Sequence, residues 1–195
     1  MSEYSVIQDI GKTMKKLLED GLESLVAPEN IDIVFESPSE IQNTTTHTLS
    51  IFLFKVEENP HLNNREMQNV NHETLKPPPI VLDLFYLITP FANDRSEEHL
   101  MLGRVMQIFY DNSVLKGRIL RDGLEGTSDE FHVTLHSLPF EEMFQLWQSF
   151  NDKSFGLSVC YKVTPVEIDS TREIEAKRVM MKRNQYYQKS VEKVK

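Results

Sequence analysis

Nine consecutive residues, Ile80 to Ile88, are apolar apart from Asp83. A run of that length falls far short of the roughly 20 residues that cross a bilayer. Nor does it alternate, as a strand with one wet face would. It predicts a strand buried on both faces, continuing to Thr89 and closed by Pro90. A second run of the same kind, Leu49 to Val56, carries Ile51, Phe52, Leu53 and Phe54 in succession. Two such strands require other elements packed on both sides of one sheet.

The rest of the chain supplies those elements. Val6, Ile10, Met14, Leu17, Leu18, Leu22 and Leu25 recur every three or four residues, which predicts an amphipathic helix from about Tyr4 to Val26. Ser2 or Ser5 caps its start and Pro28 stops it. Ile31, Ile33 and Phe35 alternate with polar residues as a half-buried strand, ended by Pro38. Asp94 or Ser96 caps a second helix, with Glu97 and Glu98 in its first turn and an apolar face through Val105, Ile108 and Phe109. Phe131, Val133 and Leu135 predict another strand. Pro139 opens a third helix, with Phe140, Met143, Phe144, Trp147 and Phe150 along one side. Leu157, Val159, Tyr161 and Val163 alternate as a last strand, ended by Pro165. Residues 58 to 79 hold five asparagines and three consecutive prolines, and predict a long loop. The order predicts an α+β fold: a central mixed, largely antiparallel sheet with three packed helices and a C-terminal helical arm.

Charge divides the chain where that arm begins. The net charge is −9. From Arg172 onward there are eight Lys/Arg and three Asp/Glu, so residues 1 to 171 hold 13 and 27, a balance of −14 against +5. We therefore expect an acidic body, residues 1 to 169, and a basic arm, residues 170 to 195, that either docks on something acidic or stays a solvated, frayed terminal helix. Lys177, Arg178, Lys182 and Arg183 are its candidate contacts. The body lacks the clustered cations that phosphate binding needs, and its aromatic residues fall at core spacing, so no nucleic-acid partner is expected. A solitary cysteine, Cys160, fits a reducing compartment, and Met1 to Tyr4 lack the opening of a secretory signal. Both predict a soluble protein made and folded in the cytoplasm, without membrane insertion.

Reactive chemistry is hard to assemble from these residues. His132 and His136 share a strand face but sit about 13 Å apart at a rise of about 3.3 Å per residue, too far to share a metal. No phosphate-cradling glycine loop or nucleophile elbow occurs, and Cys160 reads as a buried, inert thiol. Glu141-Glu142 falls in a first helical turn, where it complements the helix dipole. Asp83, alone among apolar neighbours, must be paired, and Arg104 on the following helix is one candidate partner. No cofactor, metal or catalytic residue is expected, and composition and spacing reach only a soluble α/β interaction or structural module.

The segments Pro77 to Pro90, Glu97 to Asn112, Leu146-Trp147 and Leu157 to Asp169 together carry a further indication. In order and spacing they resemble the tail-terminator, or cap, proteins of contractile injection systems. These are phage-tail-like particles of the antifeeding-prophage and Photorhabdus virulence cassette type. The resemblance covers about Tyr4 to Asp169. It implies a hexameric ring on the last layer of inner tube and sheath, ending polymerisation and linking the two, in a particle that is released or membrane-docked. Two alternative roles are an assembly chaperone or adaptor of the same particle, and a small hydrolase using the Asn-rich loop with His61 or His72.

Overall fold

A computed structural model describes residues 4–22, 31–41, 47–62, 66–69, 74–150 and 153–175. In chain order the elements are α1 (Val6–Leu22), β1 (Asp32–Val34), β2 (Thr48–Glu58), β3 (Gln68–Asn69), β4 (Thr74–Lys76), β5 (Ile80–Phe91), α2 (Arg95–Asp111), β6 (Val114–Lys116), β7 (Glu130–His136), α3 (Phe140–Gln148), β8 (Val159–Ile168) and β9 (Ile174–Glu175). They form two compact units, one of Met1–Arg65 with Pro79–Asp169, the other of Glu66–Pro78 with Ser170–Lys195.

The first unit is built on a six-stranded sheet in the order β1-β2-β5-β8-β7-β6. β1 runs parallel to β2 and every other pairing is antiparallel. β5, the uninterrupted apolar run, takes an interior place in the sheet and is buried from Val81 to Pro90. Its side chains alternate between two layers, as the period of two requires. Leu84, Tyr86 and Ile88 face the larger core, which α1 closes with Val6, Ile10, Met14, Leu18 and Leu22 and α2 with Met101, Val105, Ile108 and Phe109. Leu87 faces the other way, into a smaller cluster with Trp147 and Phe150, flanked by Phe52, Phe54, Met143 and Leu146. Each large side chain taken fully out of water contributes about 1.5–3 kcal/mol, so the α1–α2 layer holds most of the stability.

Local chemistry sets the helix ends. Asp94 caps α2, its carboxylate accepting from the Ser96 backbone N–H at 3.2 Å. Ser5 Oγ donates to the buried Asp9 carboxylate at 2.9 Å at the start of α1. Where α1 passes α2, a Cβ on Gly21 would stand 2.5 Å from Ile108 Cδ1 and 2.8 Å from its Cγ1, so any side chain there would have to push Ile108 aside.

Four expectations change. Pro90 does not close β5, which runs on to Phe91. β8 pairing stops at Ile88–Val159, so beyond it only β2 flanks the strand and proline's missing donor is not needed on both sides. Pro165 does not end β8 either, for it sits at a register shift opposite Asp83 and the strand continues to Ile168. The 58–79 loop carries structure of its own: β3 and β4 pair antiparallel, and β4 pairs with β9. That three-stranded sheet is the described part of the second unit. Ile174–Glu175, expected as helix, is therefore strand, because backbone pairing with β4 overrides a weak helical preference. The remainder of the expected helical arm, residues 176–195, lies outside the described residues, as does the end of the first helix with Leu25, Val26 and Pro28.

Candidate interaction surfaces

Asp83 is the one charged residue of β5 and is 7% exposed. Its carboxylate accepts from Asn59 Nδ2 at 2.8 Å, Thr164 Oγ1 at 2.5 Å and Lys162 Nζ at 3.4 Å. Burial acts to raise its pKa, but the hydrogen bonds from Thr164 and Asn59 and the Lys162 charge outweigh it and hold the group below the usual carboxylate value. Arg104 is not among its partners. Arg104 Nε donates to the Gly21 carbonyl at 3.2 Å and Nη1 to Gln107 Oε1 at 2.8 Å, tying α2 to α1. Strand alternation explains the correction: Asp83 shares a face with Leu87, and α2 packs on the other face with Leu84 and Tyr86. With every neighbour a donor to a carboxylate already engaged, the cluster staples β5, β8 and the chain after β2.

The histidines are dispersed. His132 and His136 lie along β7, and the His136 ring packs edge-on to Phe85 at 5.0 Å. His47 donates to Glu97 at 2.9 Å, while His61 is exposed. His72 lies outside the described residues. Among the described residues no group of three His, Cys, Asp or Glu could hold a metal ion. Cys160 is 2% exposed, and burial pushes its thiol up to about 12, so it carries no thiolate near neutral pH.

What does stand out is aromatic surface. At about 100° per residue, the apolar positions Phe140, Met143, Phe144, Leu146 and Trp147 sweep roughly 160° of α3. The sheet covers only the middle and one flank of that arc. Trp147 is 4% exposed, but Phe140 and Phe144, on the other flank, are 72% and 44% exposed. Their rings stack 6.1 Å apart, and Phe155, 49% exposed, lies 6.2 Å from Phe140 and 5.7 Å from Trp147. Gly156 lets this segment cross Trp147, since a Cβ there would stand 2.7 Å from the indole. Trp147 Nε1 donates to Ser158 Oγ at 3.1 Å and fixes the crossing. Exposed Glu141 follows Phe144 about 60° further around the helix, whereas Glu142 falls on the other flank with Leu146. The sequence pattern had placed Phe140 and Phe144 on a packed helix side; the breadth of the apolar arc was the signal that one sheet contact would not cover it.

Beside the patch, Trp147 and Leu157 also line a cleft of about 400 Å³ with Thr89, Lys153 and Glu98. The buried Thr89 hydroxyl finds no hydrogen-bond partner among the described residues. A second open feature is the margin of β2. β1 covers it only from Thr48 to Ser50, so from Ile51 to Glu58 no strand among the described residues flanks its outer side. Lys177, Arg178, Lys182 and Arg183, the candidate arm contacts, lie outside the described residues. No helix among the described residues is long and apolar enough to cross a membrane.

Residues 9–181 match the Pvc16 N-terminal domain family, a span from the first turn of α1 into the basic segment. The chain belongs to that family. Two solved structures resemble this Pvc16 N-terminal domain along nearly its whole length. The PVC sheath/tube terminator of an extracellular contractile injection system, in its extended state, aligns at a TM-score of 0.68 and 19% identity over 97% of this chain. The tube-terminating cap of the anti-feeding prophage aligns at 0.61 and 17% over 91%. This chain spans 66% of the first and 60% of the second. At such identities the likeness is one of fold. No curated protein sequence matches significantly.

Proposed function

We propose that this Pvc16 N-terminal domain chain is the terminator of a contractile injection system. Copies close into a hexameric ring on the last layer of inner tube and sheath, stop both polymers and tie one to the other. The role is structural, not catalytic. The protein is assembled in the cytoplasm into a phage-tail-like particle. The observation that carries this reading is the match of the fold, over 97% of the chain, to a sheath/tube terminator. The surfaces support it. An interface made between two different patches, repeated about a six-fold axis, closes without leaving a free end. The uncovered margin of β2 offers backbone groups to an incoming strand. The basic arm, through Lys177, Arg178, Lys182 and Arg183, contacts the acidic body of a neighbouring copy.

Labelling the protein in purified particles tests the reading by electron microscopy. The label is expected at one end, opposite the baseplate, and deletion of the protein should give tails of uncontrolled length. Absence from finished particles, by mass spectrometry, would instead mark it as an assembly chaperone. Activity that disappears on changing His61 or His72 would make it an enzyme.

A further inference from the structure

We infer that the aromatic patch on α3 is the seat for the basic arm of a neighbouring copy, which gives the ring its head-to-tail contact. The inference rests on the ring reading above and specifies both halves of its interface. On the receiving side, Phe140, Phe144 and Phe155 are 72%, 44% and 49% exposed, with Phe140 and Phe144 stacked and Phe155 tilted against Phe140. Clustered apolar surface of this kind on a soluble domain marks a contact site. Glu141, about 60° around α3 from Phe144, adds negative charge at its margin, on a body whose balance is −14.

On the donating side, Lys177-Arg178 and Lys182-Arg183 flank Val179-Met180-Met181 in a segment whose balance is +5. An apolar centre between two cationic pairs is the complement of an aromatic patch with an acidic border. Thioether sulfur packs well on aromatic edges, and unbranched methionine adapts to their shape. Guanidinium and ammonium groups at the rim meet the carboxylates and set orientation and on-rate more than affinity. Because patch and arm are different surfaces, each copy gives one and receives one, and the chain of contacts closes when the last arm meets the first patch.

Native mass spectrometry of the full chain and two variants tests this. Phe140→Ser/Phe144→Ser removes the seat. Lys177→Glu/Arg178→Glu/Lys182→Glu/Arg183→Glu removes the arm's charge. Each variant alone should be monomeric where the wild type is a closed oligomer. Mixed one to one, they retain a single compatible pairing, an intact arm on an intact patch, so they should give heterodimers and nothing larger. Should the aromatic changes impair folding, Glu141→Lys alters only an exposed side chain, and its weakened assembly should be rescued in mixtures with the charge-reversed arm. Variants that still form wild-type rings, or a mixture that yields no heterodimer, overturn the contact while leaving the ring reading intact. A wild-type chain that stays monomeric at every concentration overturns both. A ring that assembles through this contact but is missing from particle ends overturns only the terminator role.

Discussion

A carboxylate in the middle of an apolar strand must be met by donors or lose its charge. Asp83 is met by Asn59, Thr164 and Lys162. Replacing it with alanine leaves those donors without an acceptor, and we expect a loss of about 2–3 kcal/mol in denaturant unfolding. The effect should depend on pH. Folding lowers the pKa of Asp83, so its stabilisation is complete above the unfolded value of 3.8 and disappears as pH falls below that through the folded value. The stability gap between wild type and Asp83→Asn, measured from neutral pH to pH ~3, should therefore narrow only at the acid end; a constant gap would remove the carboxylate from the explanation. Gly21 makes the opposite point, for there the missing side chain matters. Gly21→Ala gains about 1 kcal/mol of helix propensity. It also forces a Cβ to 2.5 Å from Ile108, and overpacking costs about 1–3 kcal/mol. We expect net destabilisation, partly reversed by adding Ile108→Val, with thermal melts as the check.

At the scale of elements, the two faces of the sheet are unequal. α1 and α2 together close the large core, whereas among the described helices only α3 packs on the other face, through Trp147 and with Phe150 just beyond its end. Trp147→Ala should therefore cost about 3–5 kcal/mol and release the 153–158 crossing with α3, seen as early amide exchange there while β5 stays protected. Uniform loss of protection would mean the two layers unfold as one. The helices were readable because their apolar spacing and caps are local properties. Residue type narrowed the cap of α2 to Asp94 or Ser96, and Asp94 takes it. The strand ends were less so. Whether a proline stops a strand depends on which neighbours flank it, and neither the missing β8 partner beside Pro90 nor the register shift at Pro165 is written near those residues.

For the molecule as a whole, charge separation and the surfaces left open belong together. Ending the chain after Asp169 removes β9 and the +5 segment but no strand of the six-stranded sheet. The shortened protein should keep its circular dichroism and unfold within about 1 kcal/mol of the full chain, yet fail to form rings or capped particles. Normal assembly of the shortened protein, seen by electron microscopy, would show that the arm is dispensable. Raised salt should weaken wild-type rings too, since charges at an exposed rim are screened beyond about 10 Å at 0.1 M ionic strength.

Patterning along the chain sufficed for the α+β class, for β5 as a strand buried on both faces, and for the opposite charge of residues 1–171 and the segment from Arg172, because periodicity and composition are carried by neighbouring residues. Only folding decided that Asp83 turns away from Arg104, that Ile174–Glu175 joins the 66–76 segment as a strand, and that Phe140 and Phe144 remain in solvent. Each of those outcomes depends on residues distant in sequence: how far a sheet reaches beneath a helix, which strands lie side by side, and where a ladder slips by one residue. The apolar arc of α3 is written in the sequence, but which flank stays open is not, because a helix lying on a sheet buries only part of its circumference.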